Sequence, residues 1–409
     1  MAEIKTIGGI KMFENPHVTA GVIPEFLSLE ETEPVRRIHM LMDNYEVTPL
    51  VELKGLAKYC GVRSILVKDE SYRFGLKAFK GLGGLYALVR VICKHFDLDY
   101  RSITMEQLQG PDLRQAVSEM VFVTTTDGNH GKGVSWAAGM LGCKSYVYMP
   151  KGSVEARAQA IRDAGSAEVT ITDMNYDDAV RYAAKMAEEN GWFLVQDTSW
   201  PGYEDVPAWI VQGYTTMLYE SLEQMKKLGY ERPTHVFLQA GVGAMAGGVL
   251  GALKCTYPDD LPCVSVVEPD EVACIFESAC ACDGNAHAAT GSGETIMAGL
   301  NCGEPCLVTW PILRDFADYY FACPDGVSAR GMRVLGAPMP GDQQIISGES
   351  GAVPAGLVSL LTTRQSLKPC RDKLGLDENS VILLYSTEGD TDPEGYRDIV
   401  FDGAHPTLI

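Results

Sequence analysis

The stretch HVFLQAGVGAMAGG, residues 235–248, runs an apolar strand into a glycine-rich turn and directly on into a small-residue helix. Such a turn points backbone N–H groups at one place, and the positive end of the following helix reinforces them. Together they bind phosphate. Gly241, Val242, Gly243, Ala244 and Met245 are the candidate donors. Glycine lets the backbone come close to the anion. The same residues also fit G-x-G-x-x-[GA], with Ala246 in the last place. Glu268 then ends the next strand at about the distance expected for a ribose contact. On this stretch alone, a dinucleotide and another phosphorylated cofactor both stand.

Outward from this turn the chain keeps one rhythm. Strands are expected at 64–68 (SILVK), 121–125 (VFVTT), 145–149 (SYVYM), 168–171 (EVTI), 192–195, 264–268 (VSVVE) and 381–385 (VILLY). Helices are expected at 78–91, 131–142, 155–164, 176–190, 208–226, 245–254 and 350–361. Strand–helix alternation of this kind predicts an α/β fold with largely parallel sheets covered by helices. Asp97 to Leu113 is polar and irregular, and reads as an insertion between core elements.

The composition narrows the classes. The chain has 409 residues, 46% of them apolar, enough for two lobes around a sizeable core. Its formal net charge of -20 argues against nucleic acid or an anionic membrane surface as partner, since both need clustered Lys and Arg. No run of about 18 apolar residues predicts a membrane span, and the start has no secretory pattern. The 12 cysteines are scattered, which favours a reduced, cytoplasmic protein. Cys274, Cys280, Cys282, His287, Cys302 and Cys306 lie close in sequence but lack paired C-x-x-C spacing, so no zinc site is expected. Free thiols are favoured there over a redox pair such as Cys274 with Cys302.

Lys80 lies in a second glycine-rich segment, RFGLKAFKGLGG, residues 73–84. A lysine in apolar surroundings at a helix start is desolvated. Desolvation lowers its pKa and frees the amine to bond a carbonyl cofactor. A surface lysine with a buried stem is the plainer reading, and Lys77 suits that role.

Read together, the motifs resemble the fold-type II pyridoxal-phosphate enzymes, which include threonine and serine dehydratases and tryptophan synthase β. Ala78-Phe79-Lys80 is similar to their S-x-K, and Thr124 to Gly131 (TTTDGNHG) to their S-x-G-N-H-G loop. Gly241 to Met245 resembles their phosphate loop, Thr48-Pro49-Leu50 their early T-P-L, and Val267-Glu268-Pro269 their V-E-P. Ser386-Thr387-Glu388-Gly389-Asp390 resembles their terminal S-G-R-G-D. The order is kept over nearly the whole chain. RFGLKAFK at 73–80, TTDGNHGKG at 125–133, QDTSW at 196–200 and QAGVGAMAG at 239–247 resemble the subgroup acting on 2,3-diaminopropionate. Ala78 and Asp127 depart from the dehydratase pattern and agree with that subgroup.

The resemblance implies an α,β-elimination giving pyruvate and ammonia, in amino-acid catabolism, with pyridoxal 5'-phosphate as cofactor and a small amino acid as substrate. It implies a homodimer of two-lobed chains, the small lobe (92–206) inserted in the large one (1–91 and 207–409). Lys80 would hold the cofactor and act as a base. Asn129 would stand beside its phenolic oxygen, and Ser386, or its neighbour Thr387, would bond the ring nitrogen. Asp127 and Asp197 would offer carboxylates to the substrate's second ammonium group. No metal ligand is implied. A serine or threonine dehydratase is the alternative within the family, and an NAD-dependent oxidoreductase built on Gly241 to Ala246 and Glu268 the alternative outside it.

Overall fold

A computed structural model describes residues 4–16, 21–165 and 167–407. Its contacts cluster the chain into two compact units. One comprises 1–24, 47–72 and 217–409; the other comprises 25–46 and 73–216. The helix Lys80–His95 therefore falls in the unit of the smaller sheet, whereas the sequence placed residues up to 91 with the larger lobe.

The larger unit is built on eight strands. They are β1 (Lys5–Ile7), β2 (Ile10–Glu14), β3 (Leu50–Glu52), β4 (Ser64–Asp69), β9 (His235–Gln239), β10 (Cys263–Pro269), β11 (Tyr319–Cys323) and β12 (Val381–Ser386). Their order is β1-β2-β11-β10-β9-β12-β4-β3. The run from β11 to β4 is parallel; β1, β2 and β3 pair antiparallel at the edges. Every residue of β4, β9 and β12 is buried, as expected for a parallel sheet covered on both faces. The smaller unit holds β5 (Val121–Thr125), β6 (Lys144–Met149), β7 (Glu168–Ile171) and β8 (Phe193–Leu194), all parallel, in the order β7-β6-β5-β8.

The mostly parallel α/β architecture expected from the alternation is present. Asp97 to Leu113, read as irregular, instead carries the short helix Met105–Gln109 and the start of another, Pro111–Glu119. The first is set by a capping box between Thr104 and Gln107.

Lys68, read as the end of a strand, is fully buried. Its Nζ lies 2.7 Å from Glu220 Oε2, and it donates to Thr48 O at 2.7 Å and to Gln224 Oε1 at 2.8 Å. A buried ammonium persists only with compensation of this completeness.

Candidate active site

Within the smaller unit, Lys80 opens the helix Lys80–His95, and that helix lies against Asn129–Leu141. The contact is made by glycine. A Cβ on Gly133 would stand 2.8 Å from the Lys80 carbonyl carbon and 2.9 Å from Gly81 N. A Cβ on Gly84 would stand 3.1 Å from the Gly133 carbonyl carbon and oxygen. Gly133→Ala is therefore expected to push the Lys80 turn away and to cost about 1–3 kcal/mol of stability. Thermal unfolding measures the cost, and the reactivity of the Lys80 amine measures the displacement. An unchanged melting temperature with unchanged amine reactivity would show that the contact is slack.

β5 runs directly into the turn that carries Asp127, and on into the helix that carries Asn129 and His130 in its first turn. Gly128 N donates to Thr126 Oγ1 at 2.9 Å, which bends the chain before the helix begins at Asn129. β8 ends beside β5 and leads to Gln196 and Asp197. Gln196 is fully buried and ties the two loops together. Its Oε1 accepts from Thr125 N at 3.0 Å and from Thr124 Oγ1 at 3.1 Å, and its Nε2 donates to the Tyr176 hydroxyl at 3.0 Å.

This anchoring brings Asp197 to Lys80. Lys80 Nζ lies 2.5 Å from Asp197 Oδ2, with side chains 16% and 8% exposed. His130 also stands beside Asp197: its Nδ1 is 3.7 Å from the same Oδ2, and its Nε2 lies 2.8 Å from Val195 O. Burial works against the charge on Asp197, but its neighbours outweigh it and hold the carboxyl down at about 2. Burial also pulls His130 below the ordinary imidazole range, against the attraction of Asp197. A neutral imidazole cannot stabilise a carboxylate by charge, so we assign the depression of Asp197 to the Lys80 ammonium. Asp127 is half-buried. Burial pushes its carboxyl up to about 6, with Arg157 opposing and Asp197 adding to the rise.

The larger unit holds the phosphate-turn candidates. Gly243 is left-handed, φ +88, and opens the helix Ala244–Thr256 with no side-chain cap. No capping side chain therefore competes for the N–H groups of its first turn. Ser386 ends β12, fully buried, and Thr387 follows it. Gln239, at the end of β9, donates through Nε2 to Tyr385 O at 2.8 Å and to Thr387 Oγ1 at 2.9 Å. The Thr387 oxygen is thus an acceptor already. Ser386 Oγ lies 3.4 Å from Glu388 O.

Glu268 does not serve a ribose. Its carboxylate accepts from Ile275 N at 2.8 Å and Phe276 N at 2.7 Å, capping the helix Cys274–Ala281. This removes the second anchor of the dinucleotide reading. Among the described residues no disulfide joins the cysteines. Among the described residues no group of three or more His, Cys, Asp or Glu side chains could hold a metal ion.

A primary amine held partly desolvated, an uncapped helix start and buried hydroxyls at a strand end fit a phosphorylated carbonyl cofactor. The chain belongs to the pyridoxal-phosphate dependent enzymes, whose family model matches residues 41–372. Its cofactor is pyridoxal 5'-phosphate, not a dinucleotide. Within that family it is similar to the diaminopropionate ammonia-lyase of Salmonella typhimurium, 48% identical over 90% of this chain and 91% of that one. Two crystal structures of the Escherichia coli diaminopropionate ammonia lyase share its fold. One, in complex with an aminoacrylate–PLP azomethine reaction intermediate, has a TM-score of 0.89 at 44% identity over 99% of both chains. The other, in complex with D-serine, has a TM-score of 0.90 at 44% identity over the full length of both.

Proposed function

We propose that this protein eliminates ammonia from 2,3-diaminopropionate to give pyruvate and ammonia. The observation that carries the reading is the contact of Lys80 with Asp197, in the same unit as a second carboxyl, Asp127, which burial pushes up to about 6. A dehydratase needs to expel a hydroxyl; an amine leaves only as the protonated group, so acid–base residues beside it are useful. The similarity to the two bacterial lyases supports the same substrate.

When bound, pyridoxal phosphate supplies an electron sink for the bond broken at Cα. The rest is this chain's own work. Lys80 would hold the cofactor and take the Cα proton from one face. Asp127 would take it from the other. Asp197 would receive the β-ammonium group once Lys80 no longer occupies it. Backbone N–H groups from Gly241, Val242, Gly243, Ala244 and Met245 would hold the phosphate, and Asn129 would orient the ring. Ser386, or Thr387, would bond the ring nitrogen. A neutral hydroxyl there keeps that nitrogen from being firmly protonated, which suits prompt elimination over transamination.

A cytoplasmic homodimer completes the reading; cysteines scattered without a disulfide pattern support a reducing compartment. Initial rates of pyruvate formation test the function. We expect kcat/KM for 2,3-diaminopropionate to exceed that for serine or threonine by tenfold or more. A clear preference for either hydroxy amino acid rejects it.

A further inference from the structure

We propose that Lys80, Asp197 and His130 form a proton relay: the proton leaving Lys80 Nζ passes to Asp197 Oδ2 and on to His130 Nδ1. This deepens the proposed function and rests on Lys80 being the cofactor's amine.

The geometry sets the direction. Val195 O, at 2.8 Å from His130 Nε2, can only accept, so Nε2 carries a proton. A neutral His130 then turns a bare Nδ1 lone pair toward Asp197. That atom is buried and has no hydrogen-bond partner among the described residues. Two acceptors facing each other at 3.7 Å leave room for one proton; closing by about 0.7 Å gives an ordinary hydrogen bond. The same Asp197 Oδ2 is joined to Lys80 Nζ at 2.5 Å. The charged groups acting on His130 are Asp197 and Lys80, and Asp197 acts on Asp127 in turn.

Chemistry supplies the need. An ammonium has no lone pair, so Lys80 must lose a proton before its nitrogen can bond a carbonyl carbon or take a proton from Cα. When it does, the N–H bond breaks, the electron pair stays on nitrogen, and the proton joins the Nδ1 lone pair. The buried Asp197 carboxylate is then paired with an imidazolium. Without His130 the same step leaves Asp197 protonated or uncompensated, and both are costly in a buried site.

The test reads amine reactivity in the wild-type protein and in His130→Gln, each freed of cofactor, by trace acetylation of Lys80 across pH with mass-spectrometric readout. We expect Lys80 in His130→Gln to react at least tenfold more slowly near pH 7.5, its midpoint raised by about one pH unit, which is the same tenfold factor. A fold-neutral glutamine is checked by circular dichroism. A second measurement needs no substitution at His130: the Nδ1 signal of histidine-15N-labelled protein against pH, in wild type and in Lys80→Met. Loss of the Lys80 charge should raise the pH at which Nδ1 binds its proton by one unit or more. Equal acetylation rates, or a His130 titration indifferent to Lys80, overturn the relay. Either result leaves the site of cofactor attachment untouched, because that is read separately by reduction and peptide mapping.

Discussion

Asp127→Asn is expected to cut kcat/KM on one enantiomer of 2,3-diaminopropionate by about 10²–10⁴ and to leave the other nearly intact. A substrate held flat presents two faces of Cα, and a base takes a proton only from its own side. Lys80 can serve one isomer, and the mirror image needs a second base. Asp127 is the group proposed for it, two residues before the helix that opens at Asn129, with its carboxyl raised to about 6 by burial. The D isomer should suffer, with Lys80 serving the L isomer. Asparagine keeps the shape but cannot accept a proton. The pH dependence follows from the same shift. A carboxyl at about 6 is ionised above that pH and protonated below it. The wild-type rate on the affected isomer should therefore fall as pH drops through about 6, and this limb should vanish in the variant. Equal losses on both pure enantiomers, with cofactor occupancy checked by absorbance, would show that Asp127 only seats the substrate.

Lys80→Ala is expected to lower pyruvate formation on the order of 10⁴-fold or more, because it removes the attachment point and a base together. The helix Lys80–His95 should persist, since alanine favours it and its packing rests on glycines and buried apolar residues. Circular dichroism and turnover on the same sample measure both. A variant that keeps more than a tenth of the activity would place the chemistry elsewhere.

Much of this fold was legible in the chain. β5, β7 and β9 occupy the stretches read from their apolar runs, residue for residue. The parallel interior strands announce themselves because both faces are buried. The antiparallel edge, β1 to β3, passed unread: these strands are three to five residues long, and their pattern is too short to carry a period. The compact units differ from the lobes read in the sequence at residues 25–46, 73–91 and 207–216. Gly84 and Gly133 bring two helices into backbone contact, and a glycine in sequence shows flexibility more readily than a helix interface. The site was partly legible. Lys80, Asp127, Asn129 and Asp197 were named from motifs, and the structure brings Lys80 and Asp197 together across 117 positions of chain. His130 was quoted within its motif but given no role. Nothing local marks a histidine whose partner lies 67 residues away, on a loop held by Gln196. Glu268 erred in the opposite direction: its spacing suited a ribose contact, while its carboxylate caps a helix seven residues on.

Borohydride reduction of the holoprotein, followed by peptide mapping, puts the central assignment to its most direct test. Reduction turns the bond between amine and cofactor into a stable one, so the modified lysine can be read by mass. The adduct should lie on Lys80, in the peptide containing Ala78-Phe79-Lys80. An adduct on Lys77, on Lys132, or on any lysine of the larger unit would contradict it, and with it the roles given to Asp197 and His130.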